Sequence, residues 1–310
     1  MMNERRKFLK QLGAGALLLG ANSFPLEAFA GDDTQKLTIL HTNDWHSRID
    51  PFPMDGGKFQ GLGGAAARAS LIKKLRSAAD NVLLLDAGDI FQGTPYFNYF
   101  HGELEMKLMS QMQYDASAIG NHDFDNGVEG LASQLPNATF PLIVANYDFT
   151  NTAMQGKTIP YKIFKKGKLK IGVFGIGIEL KGLVPDKLFG ETKYLEPISI
   201  ANNIAAQLKN DYHCNMVICL SHLGAKYEDK KISDEVFAQS TKNIDLIIGG
   251  HTHTFFDSPI SYKNIDNKQV LVNQVGWAGL VLGKLDFYFK NKGIDKQAIS
   301  QQVIISNSAS

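Results

Sequence analysis

Five short segments of the chain collect the residue types that could do chemistry. They are Asp44 and His46 in HTNDWHS, Asp89 in DAGDIFQG, Asn121, His122 and Asp125 in IGNHDFDNG, His222 in CLSHLG, and His251 with His253 in IGGHTHT. The chain has eight histidines, and five of them are among these residues, a clustering that random placement would seldom give. Asp44 and His46 are two apart, as are His251 and His253, so on extended backbone both members of a pair point the same way. Carboxylate, amide and imidazole donors without thiolate suit Mn, Fe or Zn better than Ca or a structural cysteine-type zinc site. Gly88, Gly120, Gly249 and Gly250 would let the main chain come close to a bound ion. Taken singly, D-x-H, H-x-H and SHLG are weak signals, and IGNHDFDNG also fits a tight loop, because Asn, Asp and Gly favour turns. The ordered set of five is the strong signal.

Each segment follows an apolar run that reads as a strand, the place where open α/β sheets collect their ligand sites. KLTILHTN (36–43) is the first predicted strand, followed by a glycine-rich loop and a helix over 65–80. A buried strand (81–89) and a helix over 95–112, with Pro95 in its first turn, come next. YDASAIGN and FPLIVANY supply two further strands, and 159–177 alternates around Lys166-Gly167 as a hairpin. A helix near 198–210, a strand at 215–221, a helix near 228–240 and a strand at 244–249 follow, and 258–305 is strand-rich. This alternation predicts an α/β domain with no internal repeat and no linker.

The chain has 310 residues, 44% hydrophobic and 20% charged, which is ordinary globular composition. Residues 1–30 read as an export signal: a basic head with Arg5, Arg6, Lys7 and Lys10, an apolar stretch from Leu12 to Leu19, and the small-x-small ending Ala28-Phe29-Ala30. The apolar part is too short for a membrane span. Arg5-Arg6 followed by Phe8-Leu9-Lys10 resembles a twin-arginine signal, implying an exported, periplasmic protein; an ordinary secretory signal is the alternative. The signal takes away four of the 32 Lys and Arg residues and two of the 31 Asp and Glu residues, leaving a net charge of −1. That gives no electrostatic case for a nucleic-acid polymer or an anionic membrane as partner. Cys214 and Cys219, five apart, would point to opposite faces of one strand, so the expectation is two buried thiols and no disulfide.

The set D-x-H, G-D, G-N-H-x-x-D, H and G-H-x-H resembles the calcineurin-like metallophosphoesterases. More narrowly, ILHTNDWHSRI, DAGDIFQGTPYFN, GNHDFDNGVEGL and GGHTHT are similar to the catalytic domain of bacterial 5′-nucleotidases, over about residues 36–290. The resemblance implies a four-layer α/β/β/α sandwich with a dinuclear metal site at the strand ends, in a single catalytic domain over 31–310. It implies that Asp44, His46 and His253 hold one divalent ion (Mn, Zn or Fe) and Asn121, His222 and His251 the other. Asp89 would bridge the two ions, and His122 with Asp125 would form the catalytic dyad. The implied chemistry is hydrolysis of nucleotides or similar phosphomonoesters by a hydroxide bridging the metals, with His122 as general acid. Other readings are a 2′,3′-cyclic nucleotide phosphodiesterase, a thiosulfate-ester hydrolase of the same family, or a non-catalytic metal-binding subunit. The 5′-nucleotidases carry a second, carboxyl-terminal domain that binds the base. This chain ends at Ser310, so the expectation is either an open site or a separate chain carrying that nucleotide-binding half.

The remaining candidates read mostly as structural. His41, inside the first strand, is expected to be a hydrogen-bonded core histidine, and His101 and His213 to be exposed. Asp123 reads as a loop or helix-cap residue, with support of the ligands as the alternative. Phe91, Tyr96, Phe97, Tyr99 and Phe100 read as a helix packing face rather than the border of a base-binding cleft. Arg48 and Lys58, in the glycine-rich loop, could reach a phosphate.

Overall fold

Strands buried on both faces read as continuous apolar runs, and those of this chain build two stacked sheets. The computed structural model describes residues 34–229, 231–290 and 293–306. The expected export signal, Arg5 and Arg6 included, lies outside the described residues. In chain order the elements are β1 (Gln35–Thr42), α1 (Ala65–Ser77), β2 (Val82–Asp86), α2 (Pro95–Phe100), α3 (Glu103–Gln111), β3 (Ala116–Ser117) and α4 (Gly127–Gln134). They continue as β4 (Tyr147–Asp148), β5 (Tyr161–Lys166), β6 (Leu169–Ile176), α5 (Asp186–Phe189), β7 (Lys193–Tyr194), α6 (Pro197–Asn210) and β8 (Met216–Ser221). The last are α7 (Asp234–Ser240), β9 (Leu246–Gly249), β10 (Ile260–Lys263), β11 (Gln269–Asn273), β12 (Val281–Lys290) and β13 (Gly293–Ile304).

One sheet runs β13-β12-β1-β2-β3 and the other β10-β11-β9-β8-β6-β5, with β4 and β7 paired apart. The strands that lead into the candidate site are parallel within each sheet: β1 with β2 and β2 with β3, then β6 with β8 and β8 with β9. Side chains alternate between faces along these strands. Leu37, Ile39, Leu83 and Leu85 of the first sheet meet Ile171, Val173, Ile218, Leu220, Leu246 and Ile248 of the second. The intervening Leu40, Val82 and Leu84 turn outward onto Ile72, Met106, Met109 and Leu131 of α1, α3 and α4. Val217, Cys219 and Ile247 turn the other way onto Ala201, Ala205 and Leu208 of α6 and Phe237 of α7. The result is the four-layer α/β/β/α sandwich, with helices covering the outer face of each sheet.

Several elements differ from their expected extents, each for a local reason. The helix expected over 95–112 breaks into α2 and α3, because His101 and Gly102 adopt left-handed backbone with φ of 51° and 95°. A β-carbon on Gly102 would lie 2.4 Å from the Phe91 ring, so only glycine permits this approach. The strand expected through 114–121 stops at Ser117, and 140–147 contributes only isolated bridges at Leu142 and Ile143 before β4. There the chain leaves the ladder so that Gly120 can pack on Gly88, where a β-carbon would lie 2.6 Å from the Gly120 nitrogen. The helix expected near 228–240 starts only at α7, where Ser233 Oγ accepts the Val236 N–H. The hairpin β5–β6 forms as expected, with Lys166 opposite Leu169. Cys214 and Cys219 are both buried free thiols. His41 is buried with Nε2 2.9 Å from the Asn273 side-chain nitrogen, and burial pushes its pKa down to about 3. His101 and His213 are exposed, as expected.

Candidate metal centre

The five segments meet at one end of the sandwich. Beyond β1, the Asp44 N–H donates to the Gly88 carbonyl at 2.9 Å and the His46 N–H to the Asp89 carbonyl at 3.0 Å. The first two turns are thereby zipped together. The His251 N–H donates to Asp44 Oδ1 at 2.9 Å, tying in the loop after β9. The His122 N–H donates to Asp89 Oδ1 at 2.8 Å, tying in the loop after β3. Asp44, His46, Asp89, His251 and His253 all have positive φ, between 50° and 73°. Left-handed backbone costs a non-glycine residue about 1–2 kcal/mol, so the surrounding hydrogen bonds must hold these turns in place.

Two groups of side chains converge there: Asp44, His46 and His253, and beside them Asp89, His222 and His251. His46 Nε2 lies 2.9 Å from His253 Nε2, and His253 Nε2 lies 3.5 Å from Asp44 Oδ1. Asp89 Oδ2 reaches across both groups, at 3.8 Å from His46 Nε2 and 3.1 Å from His222 Nε2. Asn121 Oδ1 joins the second group, 2.8 Å from His251 Nδ1. All seven residues expected to hold metal are therefore brought together.

The donor set fits divalent ions on its own evidence. His222 is fully buried and its Nδ1 donates to the Ala87 carbonyl at 2.7 Å, which turns the lone pair of Nε2 into the cluster. That Nε2 faces Asp89 Oδ2 at 3.1 Å. His46 is oriented the same way, with Nδ1 3.3 Å from the Phe91 carbonyl. Histidine ligands are commonly fixed through the second nitrogen in this manner. Without an ion the crowding falls on protons instead. Despite burial, Asp89 and Asp44 hold the His222 pKa up at about 10. Burial and the nearby His222 push His251 down to about 4. Asp89, although buried, is held well below the usual carboxylate range by His222, His46 and His122.

His122 and Asp125 stand beside the cluster. His122 Nδ1 is 2.8 Å from Asp125 Oδ2, and this hydrogen bond raises the imidazole pKa. The His122 ring lies 5.2 Å from that of His46. It lines a cavity of about 190 Å³ with His46, Arg48, Gln92, Gly93, His253, Trp277 and Ala278.

Four features of the site depart from the sequence reading or were absent from it. Asp123 is no cap residue: it is buried, and its carboxylate accepts the N–H groups of Asp89, Ile90, Phe91 and Gly120 at 2.8–3.2 Å. Of the five aromatics, only Phe91 and Phe97 are buried, while Tyr99 and Phe100 are 80% and 45% exposed. Trp277 was not singled out at all, yet its ring stacks on His253 with centroids 5.5 Å apart and 7° between planes. No periodic signal surrounds Trp277, which sits in a turn between β11 and β12. Lys58 lies over the Phe59 ring and does not line the cavity.

Fold and ligand geometry define a metal-binding α/β/β/α sandwich, and comparison with known proteins places it more narrowly. The calcineurin-like phosphoesterase family profile matches residues 37–255, more than half of the chain, and the chain belongs to that family. It is 36% identical over 299 residues to a snake venom 5′-nucleotidase of Gloydius brevicauda, covering 89% of this chain and 49% of that one. Among solved structures, a 5′-nucleotidase precursor from Thermus thermophilus superposes with a TM-score of 0.77 at 32% identity, over 88% of this chain and 55% of that one. The NAD nucleotidase of Haemophilus influenzae gives 0.78 at 29%, over 88% and 57%. The chain spans about half the length of the curated relatives it matches.

Proposed function

We propose that this chain is an exported, dinuclear metal-dependent phosphoesterase that hydrolyses nucleotides or similar phosphomonoesters. The observation that carries the reading is the convergence of Asp44, His46 and His253 with Asp89, Asn121, His222 and His251, beside the His122–Asp125 pair. The name 5′-nucleotidase on the relatives supports the nucleotide preference, and the venom origin of several supports export. Among the described residues no helix is long and apolar enough to cross a membrane.

Two divalent ions (Mn, Zn or Fe) held by those residues would supply positive charge for a phosphate dianion and an activated water. The protein's own groups do the rest. Asp89 neutralises charge between the two ligand groups. His122, held through Nδ1 by Asp125, presents Nε2 to the departing ester oxygen and gives it a proton. The raised His122 pKa keeps that proton available near neutrality. A purely metal-binding subunit would need neither His122 nor Asp125.

The test is an assay of the metal-loaded chain against nucleoside monophosphates, cyclic nucleotides, a thiosulfate ester and a simple alkyl phosphate. Metal-dependent release of phosphate from the monoesters is the expected result. Full metal content with no turnover of any ester would leave the non-catalytic reading standing. Export is tested separately: Arg5→Lys with Arg6→Lys should strand precursor in the cytoplasm, and an unchanged export rate would assign the general secretory route.

A further inference from the structure

Among the described residues, Arg48 faces the candidate metal cavity without a carboxylate counter-ion. Arg48 lines the cavity with His46 and His122, and its Nε is buried with no hydrogen-bond partner. Its guanidinium rests 4.4 Å from the Phe52 ring centroid, and no carboxylate pairs with it among the described residues. The nearby Asp50 carboxylate instead accepts the Tyr96 hydroxyl at 2.8 Å. An unpaired cation at the mouth of a site that takes phosphate is complementary to that anion, and Arg's planar fork suits a phosphate's oxygens.

Arg48 also lines a second space, a groove of about 620 Å³, with Thr94, Pro95, Tyr96, Tyr99 and Phe100. The two spaces adjoin through Arg48 and the Gly93–Thr94 link. Thr94 Oγ1 donates to the Ser47 carbonyl at 2.6 Å, which ties the groove wall to the turn bearing Asp44 and His46. Short α2 turns only Phe97 inward, where it stacks on Phe91 with centroids 5.5 Å apart. Tyr99 and Phe100 are left outside, and the rings of Tyr96 and Phe100 lie 19° from parallel. Clustered exposed aromatics beside a polar site mark a binding surface more often than scattered ones do.

We infer that Arg48 and this groove form a leaving-group subsite on the catalytic domain itself. Arg48 takes an oxygen of the phosphate, and Tyr96, Tyr99 and Phe100 take a planar aromatic ring such as a nucleobase. The inference rests on the phosphomonoesterase reading above and adds that this chain selects its own ester.

The test uses the full chain loaded with Mn²⁺, with AMP and glycerol phosphate as substrates. In Tyr99→Ala and Phe100→Ala the ratio of kcat/KM for AMP to that for glycerol phosphate should fall about 10-fold or more, the scale of one aromatic–base stack. Arg48→Met should raise KM for both esters and weaken inhibition by inorganic phosphate about 10-fold, the scale of one charge-assisted hydrogen bond. Arg48→Lys should recover part of that loss. An unchanged ratio in both aromatic variants overturns the subsite. So does concentration-dependent dimerisation that those variants abolish while the ratio stays fixed, because the groove then holds a second copy. If the wild-type chain turns over neither ester, the phosphoesterase reading fails and equilibrium binding decides the subsite. AMP held more tightly than glycerol phosphate, with the gap closed in Tyr99→Ala, supports it; equal binding overturns it.

Discussion

The carboxylate of Asp123 accepts the main-chain N–H of Asp89 at 3.1 Å, fastening together two turns that bring candidate metal-binding side chains from different strands. The same oxygen takes the Gly120 N–H at 2.8 Å, and the other takes those of Ile90 and Phe91 at 2.8 and 3.2 Å. Burial and the neighbouring Asp89 push the Asp123 pKa up, so this carboxylate is retained against an electrostatic cost.

Asp123→Asn keeps one acceptor oxygen and turns an amide N–H₂ toward the other two donors. Each buried N–H left unsatisfied costs about 1–3 kcal/mol. The expected outcome is a metal-free protein destabilised by at least about 2 kcal/mol, measured by urea unfolding after chelation. An unchanged midpoint would mean that the two turns are fastened by other contacts.

Asp89 lies within reach of both ligand groups, so Asp89→Asn should lower the bound metal from two ions per chain to one or fewer and collapse activity with it. Elemental analysis of the dialysed variant checks the first part. Full activity after exhaustive chelation of the wild type would end the dinuclear reading.

General-acid help matters most when the departing oxygen is a strong base. His122→Asn should cost roughly 10²–10⁴ in kcat on an alkyl phosphate, and much less on nitrophenyl phosphate. Asp125→Asn should show the same asymmetry more weakly. Because the Asp125 hydrogen bond raises the His122 pKa, the acid stays charged above the ordinary imidazole range. In Asp125→Asn the alkaline fall of the rate should move to lower pH. Equal losses on both esters would reassign His122 to phosphate binding, and lost metal would make it a ligand.

Far from the site, Asp286 Oδ1 accepts Thr38 Oγ1 at 2.6 Å, and Oδ2 meets Lys36 Nζ at 2.9 Å and Lys284 Nζ at 2.5 Å. Although burial works the other way, the bonds from Lys284, Thr38 and Lys36 hold this carboxyl below the usual range. Its folded pKa is thus lower than its unfolded one. The stabilisation is present above the unfolded value of about 3.9 and is lost as pH falls through the folded value. Asp286→Asn should cost about 1–2 kcal/mol at pH 7. The gap between variant and wild type should narrow in melts below about pH 4. A gap that stays constant down to about pH 2 would remove the ionic contribution.

By itself the sequence determined which atoms could hold metal and where each would sit along the chain. Asp44, His46, Asp89, Asn121, His222, His251 and His253 were legible as candidate ligands because each follows a strand-forming apolar run, and ligand chemistry depends on residue type. The β5–β6 hairpin was legible for a similar reason, since its alternation and turn are local. Tertiary structure alone decided the contacts of Asp123 and Trp277. Whether Asp123 caps a helix or gathers four N–H groups depends on the loop after β2, brought next to it only by sheet pairing. The same holds for α2: the sequence placed its aromatics at helical spacing, but the bend at His101–Gly102 and the Phe91 ring decided that Phe97 turns inward while Tyr99 and Phe100 face water. Period and propensity describe a residue's own stretch of backbone, whereas burial is set by whatever remote segment packs against it.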